Sequence, residues 1–349
     1  MKKVNKLILP TTITALMTAA SLIPMQAYGA KAEVSISGQI SRAVTFADNG
    51  VDTDQLFVDN NNSGTRLRLK GKTDLGNGNT AGVYWETQYQ DNSSSSIDIN
   101  DNDNSSAFTS RIREVWFKGG WGKLYLGQGN GAANGTSETD FSGTTIADYS
   151  GNNLDDGISF IGNATSVKNG SAFSNFDGLS RNDRLRYDLP MFGPLGIAVS
   201  TGQERSEIAL RYSSKFGNGG KIGFALGQVT DDAKEFDQLG ISAAILFAGG
   251  FNIAVHVGDK DNDNGRDPSG TYIKVGKKTG KHNVSLSFHT VDDNAADGDE
   301  AERTNISYVY NMAKMGVEIF GTYQLATLDR SGEDFEDMSY FAFGSRIKF

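Results

Sequence analysis

From residue 33 onward, apolar and polar positions alternate with a period of two. In TRLRLKGK, Arg66, Arg68, Lys70 and Lys72 alternate with Leu67 and Leu69. In FNIAVHVG, Phe251, Ile253, Val255 and Val257 share one parity, and Asn252 and His256 the other. HNVSLSFH and TNISYVYN repeat the scheme. The chain ends in MSYFAFGSRIKF, with Phe341, Phe343, Ile347 and Phe349 on one parity and Arg346 and Lys348 on the other. Each segment predicts a strand with one apolar and one wet face.

Two kinds of join alternate between these segments. One is short and glycine-rich, as in Gly76-Asn77-Gly78-Asn79 and Gly119-Gly120-Trp121-Gly122, and predicts tight hairpins. The other is mostly long and rich in Asp, Asn and Ser, as in ADNGVDTDQLFVDNNNSG and DDNAADGDEAER. The pattern predicts an all-β chain of sixteen strands. The first starts at Val34, the second at Thr65, the fifth at Gly122, the sixth at Asp183 and the last at Met338. An even number lets first and last strands pair, which removes both edges. Short turns on one side and longer loops on the other fit a 16-stranded antiparallel transmembrane β-barrel, with short periplasmic turns and long outer loops. One parity of the terminal strand then faces lipid and the other faces water. A lipid-facing arginine at the bilayer midplane would cost about 2–4 kcal/mol.

Composition sharpens this picture. Among 349 residues there are 42 Gly, 5 Pro and no Cys, and 38% are hydrophobic. That is lean for one large soluble core. The absence of Cys excludes disulfide scaffolds and thiol catalysis. The formal charge is −9. Acids gather in the long joins, while bases gather in the strands. Residues 1–32 read as a signal peptide: Lys2, Lys3 and Lys6 precede a mostly apolar run, and Ala30-Lys31-Ala32 fits the small-x-small cleavage rule. Cleavage is expected after Ala32, with Gly29 as the alternative, which leaves 33–349 as the barrel domain. No later window reaches the ~20 apolar residues of a membrane helix.

Four segments carry a family resemblance. EVSISGQISRAV, NNNSGTRLRLKGKTDLGNGNTAGVYWETQY, REVWFKGGWGKLYLGQG and the terminal strand ending in Phe349 resemble, in order, the general trimeric porins of Gram-negative bacteria. The resemblance implies an outer-membrane homotrimer that passes small hydrophilic solutes and ions by diffusion. It implies contact with outer-membrane lipid and lipopolysaccharide, and insertion by the barrel assembly machinery, with Phe349 as the assembly signal. It also implies that the third outer loop, residues 129–182, folds inward and narrows the pore. Glu138, Asp140 and Asp148 on that loop are then the expected constriction acids. Arg66, Arg113 and Arg181 match the family's wall arginines. Arg68, Arg184 and Arg186 join the expected basic wall. Ser345 departs from the family pattern, which has an apolar residue there.

Other chemistry finds less support. His256, His282 and His289 lack a Ser-His arrangement with an orienting group, so no enzyme activity is expected. GDKDNDNGRD resembles a calcium loop, but Gly265 falls one place late and no Glu stands at position twelve. No cofactor is expected, although divalent cations at the acidic outer loops remain an alternative. The acidic surroundings of the Arg66–Lys72 strand argue against nucleic-acid binding. The competing function is a substrate-selective channel or a surface adhesin on the same barrel. Inward aromatics such as Tyr84 and Tyr125 look scattered in sequence, which favours a general pore.

Overall fold

The computed structural model describes residues 32–101, 106–151, 154–263 and 265–349. The expected signal segment, apart from Ala32, lies outside the described residues. From Glu33 the chain is one closed antiparallel sheet. Its strands are β1 (Glu33–Asp48), β2 (Thr53–Asp59), β3 (Arg66–Gly76), β4 (Asn79–Gln90), β5 (Ala107–Gly119) and β6 (Gly122–Gly129). After a small hairpin of β7 (Ser159–Ile161) and β8 (Ser166–Lys168) come β9 (Asn182–Asp188), β10 (Leu195–Gly202), β11 (Arg205–Phe216), β12 (Gly220–Asp231) and β13 (Phe236–Leu246). The last six are β14 (Phe251–Asn262), β15 (Ser269–Thr279), β16 (His282–Asp292), β17 (Asp299–Met312), β18 (Val317–Arg330) and β19 (Met338–Lys348).

The sheet has seventeen segments but sixteen staves. Both β2 and β3 pair with β1, opposite Arg42–Asp48 and Glu33–Gln39 respectively, so together they form one interrupted stave. This corrects the first join. The expected long acidic loop is instead a tight turn at residues 49–52, a strand in TDQLFVD, and a break at residues 60–65. The Asp and Asn residues that suggested a loop lie at its ends, while Leu56 and Val58 turn inward and are buried. The fourth outer join is also short, only residues 203–204.

Closure follows the alternation. β19 pairs with both β18 and β1. The Gly38 N–H donates to the Phe349 carbonyl at 2.8 Å, and the Phe349 N–H donates back to Gly38 at 3.1 Å. Gly38 leaves room for the Phe349 ring, which lies 2.6 Å from where a Cβ would stand. Phe341, Phe343, Ile347 and Phe349 are exposed on the outer surface. Arg346 turns inward and pairs with Glu318 of β18. The periplasmic turns are as tight as expected. At Asn77-Gly78 both residues have positive φ, +53° and +75°, which suits the right-handed twist of a hairpin.

The apolar core lies inside the barrel, between its wall and an inserted loop. Leu56, Val58, Val291, Phe320 and Leu328 of the wall meet Ile146, Leu154, Ile158, Phe160 and Phe173 of the segment between β6 and β9. Ile97 and Ile99 of the second outer loop join them. Burying apolar area at about 25 cal/mol per Å² makes this contact the main force holding the loop inside.

Candidate functional site

The third outer loop, residues 130–181, enters the lumen and is fastened along the wall in steps. At its start the Ala132 N–H donates to Ser200 Oγ (2.8 Å) and the Ala133 N–H to Glu207 (2.6 Å). Arg211 donates to the carbonyls of Ala132 and Asn134, both at 2.8 Å. The Thr139 N–H then donates to Ser242 Oγ on β13, and Thr144 Oγ1 bonds Ser285 Oγ on β16. Asn60, at the break between β2 and β3, donates to the Ile146 carbonyl at 2.9 Å. Arg303 of β17 donates to Gly151, and its guanidinium lies 4.4 Å from the centre of the Phe173 ring.

A further fastening is a buried charge cluster. Lys274 Nζ on β15 lies 2.9 Å from Asp140 and 3.5 Å from Asp148. The three side chains are 0–4% exposed. Tyr272 and Ser287 donate to Asp148 as well (3.1 and 2.8 Å). Asp140 is held below its usual range: burial pushes its carboxyl up, but Lys274 and the Ser142 bonds outweigh it. Two of the three expected constriction acids are therefore loop anchors. They meet a lysine across the lumen from the arginines, because Lys274 sits at an inward position of a strand that the resemblance did not mark.

Glu138 occupies a different place. It is exposed to lumen water on one side and crowded by protein on the others. That crowding, with Asp177 next, pushes its carboxyl up to about 7, while Asn175 and Arg181 pull it down. Lumen water moderates the effect. Arg181, where the loop returns to the wall, shares its electrostatic neighbourhood with Arg111, Glu86, Tyr149 and Glu138. Burial, then Arg111, holds its guanidinium below the ordinary value.

The wall beyond Arg181 is basic. Glu86 of β4 accepts from Arg68 (2.7 Å) and Arg111 (2.8 Å), and Arg66 lies 3.8 Å away. Three guanidinium groups share one carboxylate, so positive charge is in excess. Arg111 takes the place expected for Arg113. Between Glu86 and Thr87 the β4–β5 register shifts by one residue. That bulge turns Arg111 inward and leaves Arg113 on the outer face, opposite Trp85 and bonded to Gln128 at 2.8 and 3.0 Å. Strict alternation could not reveal it, because one extra residue inverts parity. Arg184 and Arg186 do face inward. They serve the loop's origin: Arg184 pairs with Glu114 and donates to the Gly127 and Asn130 carbonyls, and Arg186 pairs with Asp188 and donates to the Gly131 carbonyl.

The geometry is thus that of a closed barrel with a charged aperture. The loop's anchors fall on β9–β18 and the β2–β3 break. The opposite arc, β3–β6, presents Arg66, Arg68, Lys70, Tyr84 and Arg111 to the lumen. Such a barrel, apolar outside and charged inside, is an outer-membrane channel.

Comparison with known proteins identifies which kind. A sequence-family profile described as Gram-negative porin matches residues 12–331, and the chain belongs to that family. It is an outer-membrane porin channel. No curated protein sequence matches it. Its structure is similar to an anion-selective porin from Comamonas acidovorans, at 18% identity and TM-score 0.61, over 91% of this chain and 100% of that one. It is also similar to the in-vitro folded trimer form of OmpT, an outer membrane protein of Vibrio cholerae (12% identity, TM-score 0.58, 91% and 99% covered). A mutant of Rh. blastica porin is a third neighbour (16% identity, TM-score 0.56, 91% and 100% covered). At these identities the likeness is one of fold.

Proposed function

We propose that this porin passes small hydrophilic solutes and ions by passive diffusion, with an anion preference set at the aperture between the third loop and the β3–β5 wall. The observation that carries the reading is the excess of guanidinium there: Arg66, Arg68, Arg111 and Arg181 stand against Glu86 and Glu138. In a narrow lumen these charges are screened less than charges at the mouth. Asp140 and Asp148 contribute less to selectivity on this reading, because they are buried against the wall and Lys274 cancels one of their two charges. The charge pattern needs no cofactor and no catalytic group. The working unit is a homotrimer, in line with the trimer form reported for OmpT, and Phe349 is its assembly signal. Lipopolysaccharide at the acidic outer loops and the barrel assembly machinery are the expected partners.

The test is reversal potential across a salt gradient in planar bilayers. Wild type should favour chloride over potassium. Arg66→Gln with Arg111→Gln should move the potential toward cation preference, and Asp297→Asn with Asp299→Asn should move it less. If the outer-loop pair moves it as far as the arginine pair, selectivity resides at the mouth and the aperture reading is wrong.

A further inference from the structure

The bare wall continues past the arginines to a second cationic group at the periplasmic end. There a recess of about 540 Å³ is lined by Lys72, Thr80, Trp116, Lys118 and Lys123 beside the Gly78 and Gly120 turns. These side chains share the inward parity of Arg68, Glu86 and Glu114, so they face the lumen and not lipid. Lys118 and Lys123 are directly opposed on β5 and β6. Like charges so placed repel one another, and a sheet gains nothing from them unaided. Among the described residues none of the three lysines has a carboxylate within ion-pair distance. The nearest acids in register are Glu33, opposite Lys72, Asp74, opposite Thr80, and Asp188, opposite Lys123; Asp188 is already paired with Arg186, which leaves the lysines in excess.

The recess is also shaped. Gly82 lies between Lys72 and Trp116 in register, and a Cβ there would stand 2.3 Å from the indole. Its absence lets Trp116 lie across β4. Lys123 Nζ is held 4.4 Å from the Trp116 ring and 4.3 Å from Tyr125, which fixes one ammonium by cation–π attraction. Tyr84 does the same for Lys70 at 4.8 Å. The inward aromatics that looked scattered in sequence are collected here, each beside a lysine.

We propose that this recess binds multivalent oxyanions, of which phosphate is the simplest, as an exit station below the arginine aperture. Two opposed ammonium groups and a third nearby give a multivalent anion what chloride cannot use, several charges satisfied at once. The proposal rests on the channel reading for its role in transport, but binding itself does not need conduction.

Two measurements separate these. In the first, inorganic phosphate is titrated into the purified detergent-solubilised protein, with tryptophan emission as readout and chloride of equal ionic strength as control. Saturable change with phosphate alone is expected, and Lys72→Gln, Lys118→Gln and Lys123→Gln together should raise the half-saturating concentration about tenfold or more. Should that variant not fold, the exposed Lys118→Gln alone should still raise it. In the second, phosphate added to the periplasmic side should reduce chloride current over the same concentration range. A response that does not saturate, that chloride reproduces, or that the lysine variants leave unchanged overturns the site. Saturable binding without chloride conductance would keep the site and reject the passive channel.

Discussion

At the scale of single residues, charge partners decide roles that residue type leaves open. Glu138, Asp140 and Asp148 are alike in sequence. Two are sealed against Lys274, and only Glu138 is free to respond to the lumen. Because its carboxyl is pushed up, to about 7, it carries more negative charge at pH 8 than at pH 6. Acidification through that window removes a negative charge facing Arg181, so anion preference should rise. Glu138→Gln should hold the low-pH selectivity at both pH values. Reversal potentials at pH 8 and pH 6 check this, and an equal pH response in the variant would assign the titration to another group. The acid at 138 was legible from its place after the fifth strand. The inward arginine of β5 was not, since the bulge beside Glu86 leaves no mark in the alternation of REVWF.

At the scale of elements, the third loop behaves as part of the wall. Its first half carries few large apolar residues, so polar anchors such as Ser200, Ser242, Ser285 and Lys274 supply what packing does not. The Lys274 cluster makes a sharp prediction. Lys274→Met would leave two buried carboxylates without their cation, at a cost of about 3–5 kcal/mol. That exceeds what the adjacent hydroxyl bonds can offset at roughly 1 kcal/mol each. The loop should then detach locally while the barrel remains closed. Rapid proteolysis within residues 139–150 and noisy single-channel current are the expected signs. Adding Asp140→Asn and Asp148→Asn should suppress both. A variant as quiet and resistant as wild type would mean that the apolar contacts of Ile146 and Phe160 suffice alone. The loop's length and position were readable in sequence. Its anchors were not, because they are small polar residues on distant strands whose inward parity says nothing about what they face.

At the scale of the whole molecule, sixteen staves could be counted from period-two segments and turn chemistry, since closure depends on parity and strand number more than on any one contact. What parity could not foresee is that the outer surface is not uniformly apolar. Arg42 and Asp59 form an outward ion pair at 2.8 Å where β1 meets β2, and Ser345 stands opposite Arg42. Arg113 and Gln128 form a second outward polar pair on β5 and β6. Set in lipid, an arginine near the midplane costs about 2–4 kcal/mol. Both pairs lie on the arc from β19 through β1 to β6, which also accounts for the polar Ser345 in an otherwise aromatic row. A surface of this kind is stable when another copy covers it, so this arc is the expected trimer interface. The protein should run as an SDS-resistant oligomer before boiling and as a monomer after it. Arg113→Glu should lower the temperature at which the oligomer dissociates, whereas Ile273→Thr, on the exposed outer face of β15, should change it little. A single monomer band in unheated native membranes would rule out the trimer. Equal shifts from the two substitutions would move the interface away from this arc.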